Sequence, residues 1–208
     1  MCDYKLIVFE GPDGSGKTTV AHRVCGVLSS VFGNVRLLAE TRGSPFCETV
    51  CSSMLSGNVH VDAHPFLFAG VRAHVVRDVL LPLLSTHHVV LDRFFYSGLV
   101  YPQLLSPSLD TGFFQRLAKE SALGVCPDIC FVLDVSDPNV LWERVVKRGT
   151  RADVYDGWLL NRLRALRDLY RRVVDEHQEC VLVDASGDVD TVVSRVLGVL
   201  NHRFGWSV

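Results

Sequence analysis

The sequence predicts a three-layer α/β fold, a parallel sheet of five short strands flanked by helices, with a small lid. Three observations carry that expectation. Short apolar runs alternate with longer segments whose apolar residues recur at helical spacing. The connections between them are short, and a strand–helix–strand order of that kind returns each strand parallel to the last. Of the 208 residues, 48% are hydrophobic and 21% charged, which supports a substantial core and argues against disorder. The length suits one domain over residues 1–208 that carries a lid, rather than two domains.

The elements follow in order. Leu6-Ile7-Val8-Phe9 is an apolar run leading to a glycine turn, the mark of a strand buried on both faces. Residues 18–31 place Val20, Ala21, Val24, Val27 and Leu28 at helical spacing. Residues 35–39 read as the second strand and 46–55 as a helix. Residues 64–84 form a long apolar helix pattern, slowed near its end by Pro82. Val89-Val90-Leu91 is the third strand and feeds the charged turn Asp92-Arg93. Residues 96–105 look helical despite Pro102, and 113–123 form another helix. Pro127-Asp128 introduces the fourth strand, 129–135, and a helix over 139–148 stops at Gly149. Residues 149–155 are a polar break. Leu159, Leu160, Leu163, Leu166, Leu169, Tyr170 and Val173 then mark one face of a long helix. Val181-Leu182-Val183 is the last strand and 189–200 the last helix. No repeat or low-complexity segment interrupts this order.

Composition narrows the function classes. The formal net charge is -2 and the pI about 6.4, so the basic excess expected of a nucleic-acid binder is missing. No apolar run approaches the ~18 residues of a membrane span, and Met1-Cys2-Asp3-Tyr4-Lys5 offers no leader pattern. The expectation is a cytoplasmic protein without membrane or nucleic-acid partners. Among seven cysteines, Cys47/Cys51 and Cys126/Cys130 are each separated by three residues. Structural zinc sites more often use two, so reduced, mostly buried thiols are expected.

One motif dominates. Gly11-Pro12-Asp13-Gly14-Ser15-Gly16-Lys17-Thr18 fits G-x-x-x-x-G-K-[ST] between an apolar strand and an amphipathic helix, the context that phosphate loops require. Glycines let backbone N–H groups converge on phosphate oxygens, and the following helix adds its positive N-terminal dipole. Lys17 would reach the β- and γ-phosphates and Thr18 would ligand Mg²⁺. Residues 11–18 with Thr19 are the expected ATP-binding set, on a P-loop NTPase fold. No Asn-Lys-x-Asp segment is present to read guanine, and the small size favours a nucleotide or small-metabolite kinase.

The rest of the chain resembles the thymidylate kinase family in five ordered segments. Phe9-Glu10-Gly11-Pro12-Asp13-Gly14-Ser15-Gly16-Lys17-Thr18-Thr19 matches its loop, and the resemblance implies that Asp13 helps hold the acceptor nucleotide and the transfer geometry. In Leu67-Phe68-Ala69-Gly70-Val71-Arg72-Ala73-His74, Phe68 and Arg72 share a helix face. The family uses these positions to stack on and hydrogen-bond thymine. Leu91-Asp92-Arg93-Phe94-Phe95-Tyr96-Ser97-Gly98-Leu99-Val100-Tyr101 resembles its Asp-Arg-Tyr segment. Asp92 would act on Mg²⁺ directly or through water, Arg93 would grip the monophosphate, and Ser97 and Tyr101 would line the nucleoside pocket. Arg148, Gly149, Thr150, Arg151, Asp153, Tyr155 and Asp156 resemble the lid, about 148–156. Gly14 leaves the loop without a cation, so Arg148 or Arg151 would supply the catalytic arginine, and Tyr155 would sit beside the acceptor sugar. Val183-Asp184-Ala185-Ser186 would lie near adenine.

Two departures touch the acceptor side. Thr41-Arg42-Gly43-Ser44-Pro45-Phe46 stands where the family often has Thr-Arg-Glu-Pro-Gly-Gly, so only Arg42 survives as a phosphate ligand. Pro102 separates Tyr101 from Gln103, shifting the pocket wall. The implied reaction is phosphoryl transfer from ATP·Mg²⁺ to dTMP, with Asp13, Lys17, Arg93 and a lid arginine as the catalytic set. Arg42, Arg72 and Arg93 would hold the monophosphate, and the chain would be a homodimer paired through apolar helices. Three other readings stay open: a broader deoxynucleoside monophosphate kinase, a deoxynucleoside kinase using Asp13 or Glu10 as base, and an idle nucleotide-binding protein.

Overall fold

The computed structural model describes residues 4–106, 110–147 and 162–208. Five strands, β1 (Leu6–Glu10), β2 (Val35–Ala39), β3 (His88–Asp92), β4 (Ile129–Asp134) and β5 (Cys180–Asp184), form one sheet of order β2-β3-β1-β4-β5. Every pairing is parallel, as the alternating pattern predicts. Strands β1 and β4 are buried along their whole length, which is why they read as unbroken apolar runs. Phe9 stacks on Phe131 across them, with centroids 5.4 Å apart.

Among the described residues the α-helices are α1 (Lys17–Phe32), α2 (Pro45–Leu55), α3 (His64–Val75), α4 (Leu81–Leu84), α5 (Phe95–Leu105), α6 (Thr111–Glu120), α7 (Pro138–Lys147), α8 (Leu163–Glu176) and α9 (Val189–Phe204). The expected single helix over 64–84 is instead divided by a π turn, Val76–Leu80, in which the Leu81 amide donates to the Val76 carbonyl. Pro82 has no N–H for the Asp78 carbonyl and its ring crowds that group, so the preceding turn widens. Residues 159–161 lie outside the described residues, and α8 is seen from Leu163. Cys25, Cys47, Cys51, Cys130 and Cys180 are buried thiols, while Cys126 is exposed.

The strand order sets the site. β1 is central, with β3 on one side and β4 on the other, so the chain after β1 emerges between neighbours leading in opposite directions. Ligands of parallel sheets bind at such a switch point, beyond the carboxyl ends of the strands. The register pairs Phe9 with Asp92, which brings the turn after β3 alongside the glycine loop after β1.

Candidate active site

The loop between β1 and α1 has a backbone that only glycine tolerates. Gly11, Gly14 and Gly16 have φ of 133°, 83° and 92°, where a Cβ is strained. Two of them are also crowded. A Cβ on Gly11 would collide with the Leu133 carbonyl of β4, and one on Gly14 with the Leu141 carbonyl of α7. The absence of a basic residue at position 14 is therefore steric as well as chemical. Lys17 opens α1, and its Nζ donates to the Pro12 carbonyl at 2.8 Å. It is only 5% exposed. Burial pushes its pKa down to about 8, helped by the Arg93 charge and opposed by Asp13, Asp92 and Glu10.

Thr18 and Asp92 meet at the loop mouth, where the Thr18 hydroxyl donates to Asp92 Oδ2 at 2.6 Å. Asp92 Oδ1 is buried and has no hydrogen-bond partner among the described residues. Leaving such an oxygen unsatisfied costs about 1–3 kcal/mol or more. A hard divalent cation would satisfy it. Mg²⁺ in phosphoryl-transfer sites typically takes one or two carboxylates and draws its remaining ligands from phosphate and water, so the donor set fits that ion.

Arg93, at the end of β3, has φ 69°, a left-handed conformation uncommon for a residue of its bulk. That turn aims its guanidinium back at the loop. There it pairs with Asp13 Oδ1, donates to the Ser97 hydroxyl at 3.2 Å and lies 5.4 Å from the Tyr101 ring centroid. Tyr101 donates its hydroxyl to Asp13 Oδ2 at 2.7 Å. Asp13 thus ties the phosphate loop to both β3 and α5.

Glu10 differs from Asp13. It is fully buried and accepts from the Phe94 and Ser97 amides, the Ser97 hydroxyl and the Tyr170 hydroxyl. Burial raises its pKa, with Arg93, the Phe94 amide and Ser97 opposing. Its oxygens hold the N-terminus of α5 and do not face an acceptor, which speaks against Glu10 as a general base.

A cavity of about 650 Å³ opens from this cluster. Its charged end carries Asp13, Lys17, Thr18, Asp92, Arg93 and the exposed Arg42. Its far end is apolar, with Phe68, Leu105, Phe114, Leu117 and Ala118. One buried ion pair interrupts that end. Arg72, 2% exposed, donates Nε to Glu40 Oε1 and Nη1 to Ser121 Oγ, the latter at 2.9 Å. A Cβ on Gly98 would lie 3.3 Å from the Arg72 guanidinium nitrogens, so α5 yields the space that the arginine fills.

Among the expected site residues, Asp13, Lys17, Thr18, Arg42, Phe68, Arg72, Asp92, Arg93, Ser97 and Tyr101 all line this one cavity. Thr19 is exposed on the first turn of α1. Arg148, Arg151 and Tyr155 lie outside the described residues. Pro102 is part of the wall, whereas the Gln103 amide turns back to the Leu99 carbonyl at 2.7 Å. The loop after β5 is held near α7, where Arg144 donates to the Ala185 carbonyl at 3.2 Å. Sequence reasoning missed Glu40 and Ser121. The one available signal was an acidic residue at the end of an apolar strand, the position Asp92 also occupies.

Comparison with known proteins identifies the family. The family model described as thymidylate kinase matches residues 9–196. The thymidylate kinase of Afipia carboxidovorans is 33% identical over 205 residues, covering 96% of this chain and 90% of that relative. That of Bradyrhizobium diazoefficiens is 32% identical with the same coverage. The crystal structure of thymidylate kinase from Ehrlichia chaffeensis superposes with a TM-score of 0.73 at 24% identity, covering 95% of this chain and 98% of that one, and so shares the fold. With a matching family model over most of its length and relatives above 30% identity, the chain belongs to the thymidylate kinase family.

Proposed function

We propose that this protein transfers the γ-phosphoryl group of ATP to dTMP, giving ADP and dTDP. The observation that carries the reading is one cavity with two unlike ends. The phosphate loop and Arg93 form its charged end, and Phe68 and other apolar side chains with the buried Arg72 form the other. Membership of the thymidylate kinase family names the acceptor.

The residues divide the work as follows. Backbone N–H groups of the loop 11–18, Pro12 excepted, cradle the ATP phosphates, and Lys17 neutralises the β- and γ-phosphates. Thr18 and Asp92 would hold Mg²⁺, which when bound offsets phosphate charge. Arg93, fixed by Asp13 and Ser97, grips the dTMP phosphate together with Arg42 and steadies charge in the transition state. The attacking oxygen belongs to a phosphate that is already anionic, so no strong general base is required. Catalysis is positioning plus charge neutralisation. Phe68 stacks on the base and Arg72 donates to its carbonyl, while Ser97 and Tyr101 wall the sugar.

ADP release measured against dTMP, dUMP, dCMP, dGMP, UMP and thymidine tests the reading. Fastest turnover with dTMP is expected. Turnover with thymidine alone, or ADP release that ignores every acceptor, would overturn it.

A homodimer is also proposed. Phe66 is 50% and Phe113 39% exposed, and their rings sit 5.9 Å apart on α3 and α6. Adjacent exposed aromatics of this kind mark contact surfaces. Sedimentation at micromolar concentration should give twice the 23.1 kDa chain mass. Charged substitutions at Phe66 and Phe113 should halve it.

A further inference from the structure

The buried pair at the base end of the cavity holds more than Arg72 needs. Glu40 follows β2 directly, is 3% exposed and lines the cavity. Its Oε1 accepts from Arg72 Nε. Its other oxygen, Oε2, accepts no hydrogen bond from any described residue, and Arg72 Nη2 donates none to one. Both residues line the cavity. The apolar end therefore offers a ligand one carboxylate acceptor beside one guanidinium donor, with Leu117, Ala118 and Phe114 around them. A countercharge alone would be expected to bond Arg72 bidentately, using both oxygens. Here Oε1 takes a single bond from Nε, and the second oxygen is left for something else.

We propose that Glu40 is a specificity-determining residue: with Arg72 it reads the edge of the acceptor base, accepting from the ring N3–H while Arg72 donates to the neighbouring C4 carbonyl. This rests on the phosphoryl-transfer reading above. Among pyrimidines, thymine and uracil present that carbonyl beside an N–H. Cytosine presents the reverse, an amino donor beside a bare ring nitrogen. Cytosine in this pocket would set its N3 lone pair against the carboxylate and its amino group against the guanidinium. Both conflicts fall on buried groups that water cannot relieve, and such mismatches discriminate strongly. Ser121 and Gly98 fix the Arg72 guanidinium, so the two partners are held in register before the base arrives.

The test compares dTMP with 5-methyl-dCMP, which differ only at the C4 and N3 edge, using kcat/KM from ADP release. The wild-type protein should prefer dTMP by about 100-fold or more. In Glu40→Gln the amide oxygen still accepts from Arg72, while the amide NH₂ faces the base as a donor. Activity with dTMP should fall about 10–100-fold, and the preference over 5-methyl-dCMP should narrow by at least about tenfold. If both substrates fall by the same factor, Glu40 only neutralises Arg72 and the inference is overturned. Where the variant fails to fold, the wild-type pair decides: use of 5-methyl-dCMP within about threefold of dTMP overturns it. If wild-type protein releases ADP with neither nucleotide, the phosphoryl-transfer reading fails instead, and the two failures are told apart.

Discussion

The two ends of the cavity are built on different principles. The donor end is a backbone device. Its shape comes from three left-handed glycines in a loop between consecutive elements, and its few side chains are adjacent in sequence or one strand away. The acceptor end is a side-chain device. Glu40 from the end of β2, Arg72 from α3, Ser121 after α6 and Gly98 from α5 meet there, and no two of them are neighbours in the chain. A backbone device tolerates little change and so looks alike from protein to protein. A side-chain device can be rebuilt residue by residue, and the departures that the sequence suggests from the family pattern, after β2 and around Pro102, fall on this side.

The sharpest way to break this contrast is to remove the one cation that the donor end cannot replace. Lys17→Ala should lower kcat with dTMP by about 10³-fold or more. The melting temperature should hold or rise, because the lost amine is buried and its charge is disfavoured there. Near-normal turnover would mean that the loop merely binds nucleotide.

The second test weighs the loop's backbone. Gly14→Ala places a Cβ in the left-handed region, which costs about 1–2 kcal/mol, and drives it into the Leu141 carbonyl of α7. Gly16→Ala carries the same kind of strain with nothing within 4 Å of the new Cβ. Thermal melts should show Gly14→Ala losing at least about 2 kcal/mol, roughly 4–8 °C in a domain this size, and Gly16→Ala about half as much. Equal losses would deny that α7 closes on the loop.

These differences explain what could be read in the sequence. β1 and β4 were legible because burial on both faces writes an unbroken apolar run, and the partly exposed edge strands β2 and β5 were legible from shorter apolar runs between helical segments. The loop was legible because its glycines, Lys17 and Thr18 occupy fixed spacings. Asp92 and Arg93 were legible as a charged turn closing a strand, although the left-handed φ of Arg93 was not. The Glu40–Arg72 pair spans 32 residues and the Arg72–Ser121 bond 49. No local pattern records contacts of that range, and without the pair the acceptor end looked merely altered. The π turn before Pro82 escaped for a related reason. A proline inside an apolar helix pattern signals disturbance, and packing decides whether the helix ends, kinks or widens.

At the acceptor end, Phe68→Ala should raise the KM for dTMP about 10–100-fold, the worth of burying one aromatic ring. The KM for ATP should change less than about threefold, because Phe68 belongs to the apolar lining of the cavity and not to the phosphate loop. Equal rises in both constants would collapse the two ends into one.

The smallest expected effect is a pH dependence confined to the donor end. Burial lowers the Lys17 pKa to about 8 in the protein without nucleotide. The charged amine is the form that meets phosphate, and it predominates below that value. The kcat/KM for ATP reports the free enzyme, so it should fall about tenfold between pH 7 and pH 9 as the amine loses its proton. Bound phosphates favour the charged form and raise its pKa, so kcat at saturating ATP should stay flatter over the same range. Lys17→Arg supplies the control, since a guanidinium stays charged throughout. Any residual activity in that variant should lose the alkaline fall. An equally steep fall in kcat, or one that persists with arginine at position 17, would move the titrating group away from the loop and toward the side-chain network around Tyr101 and Arg93.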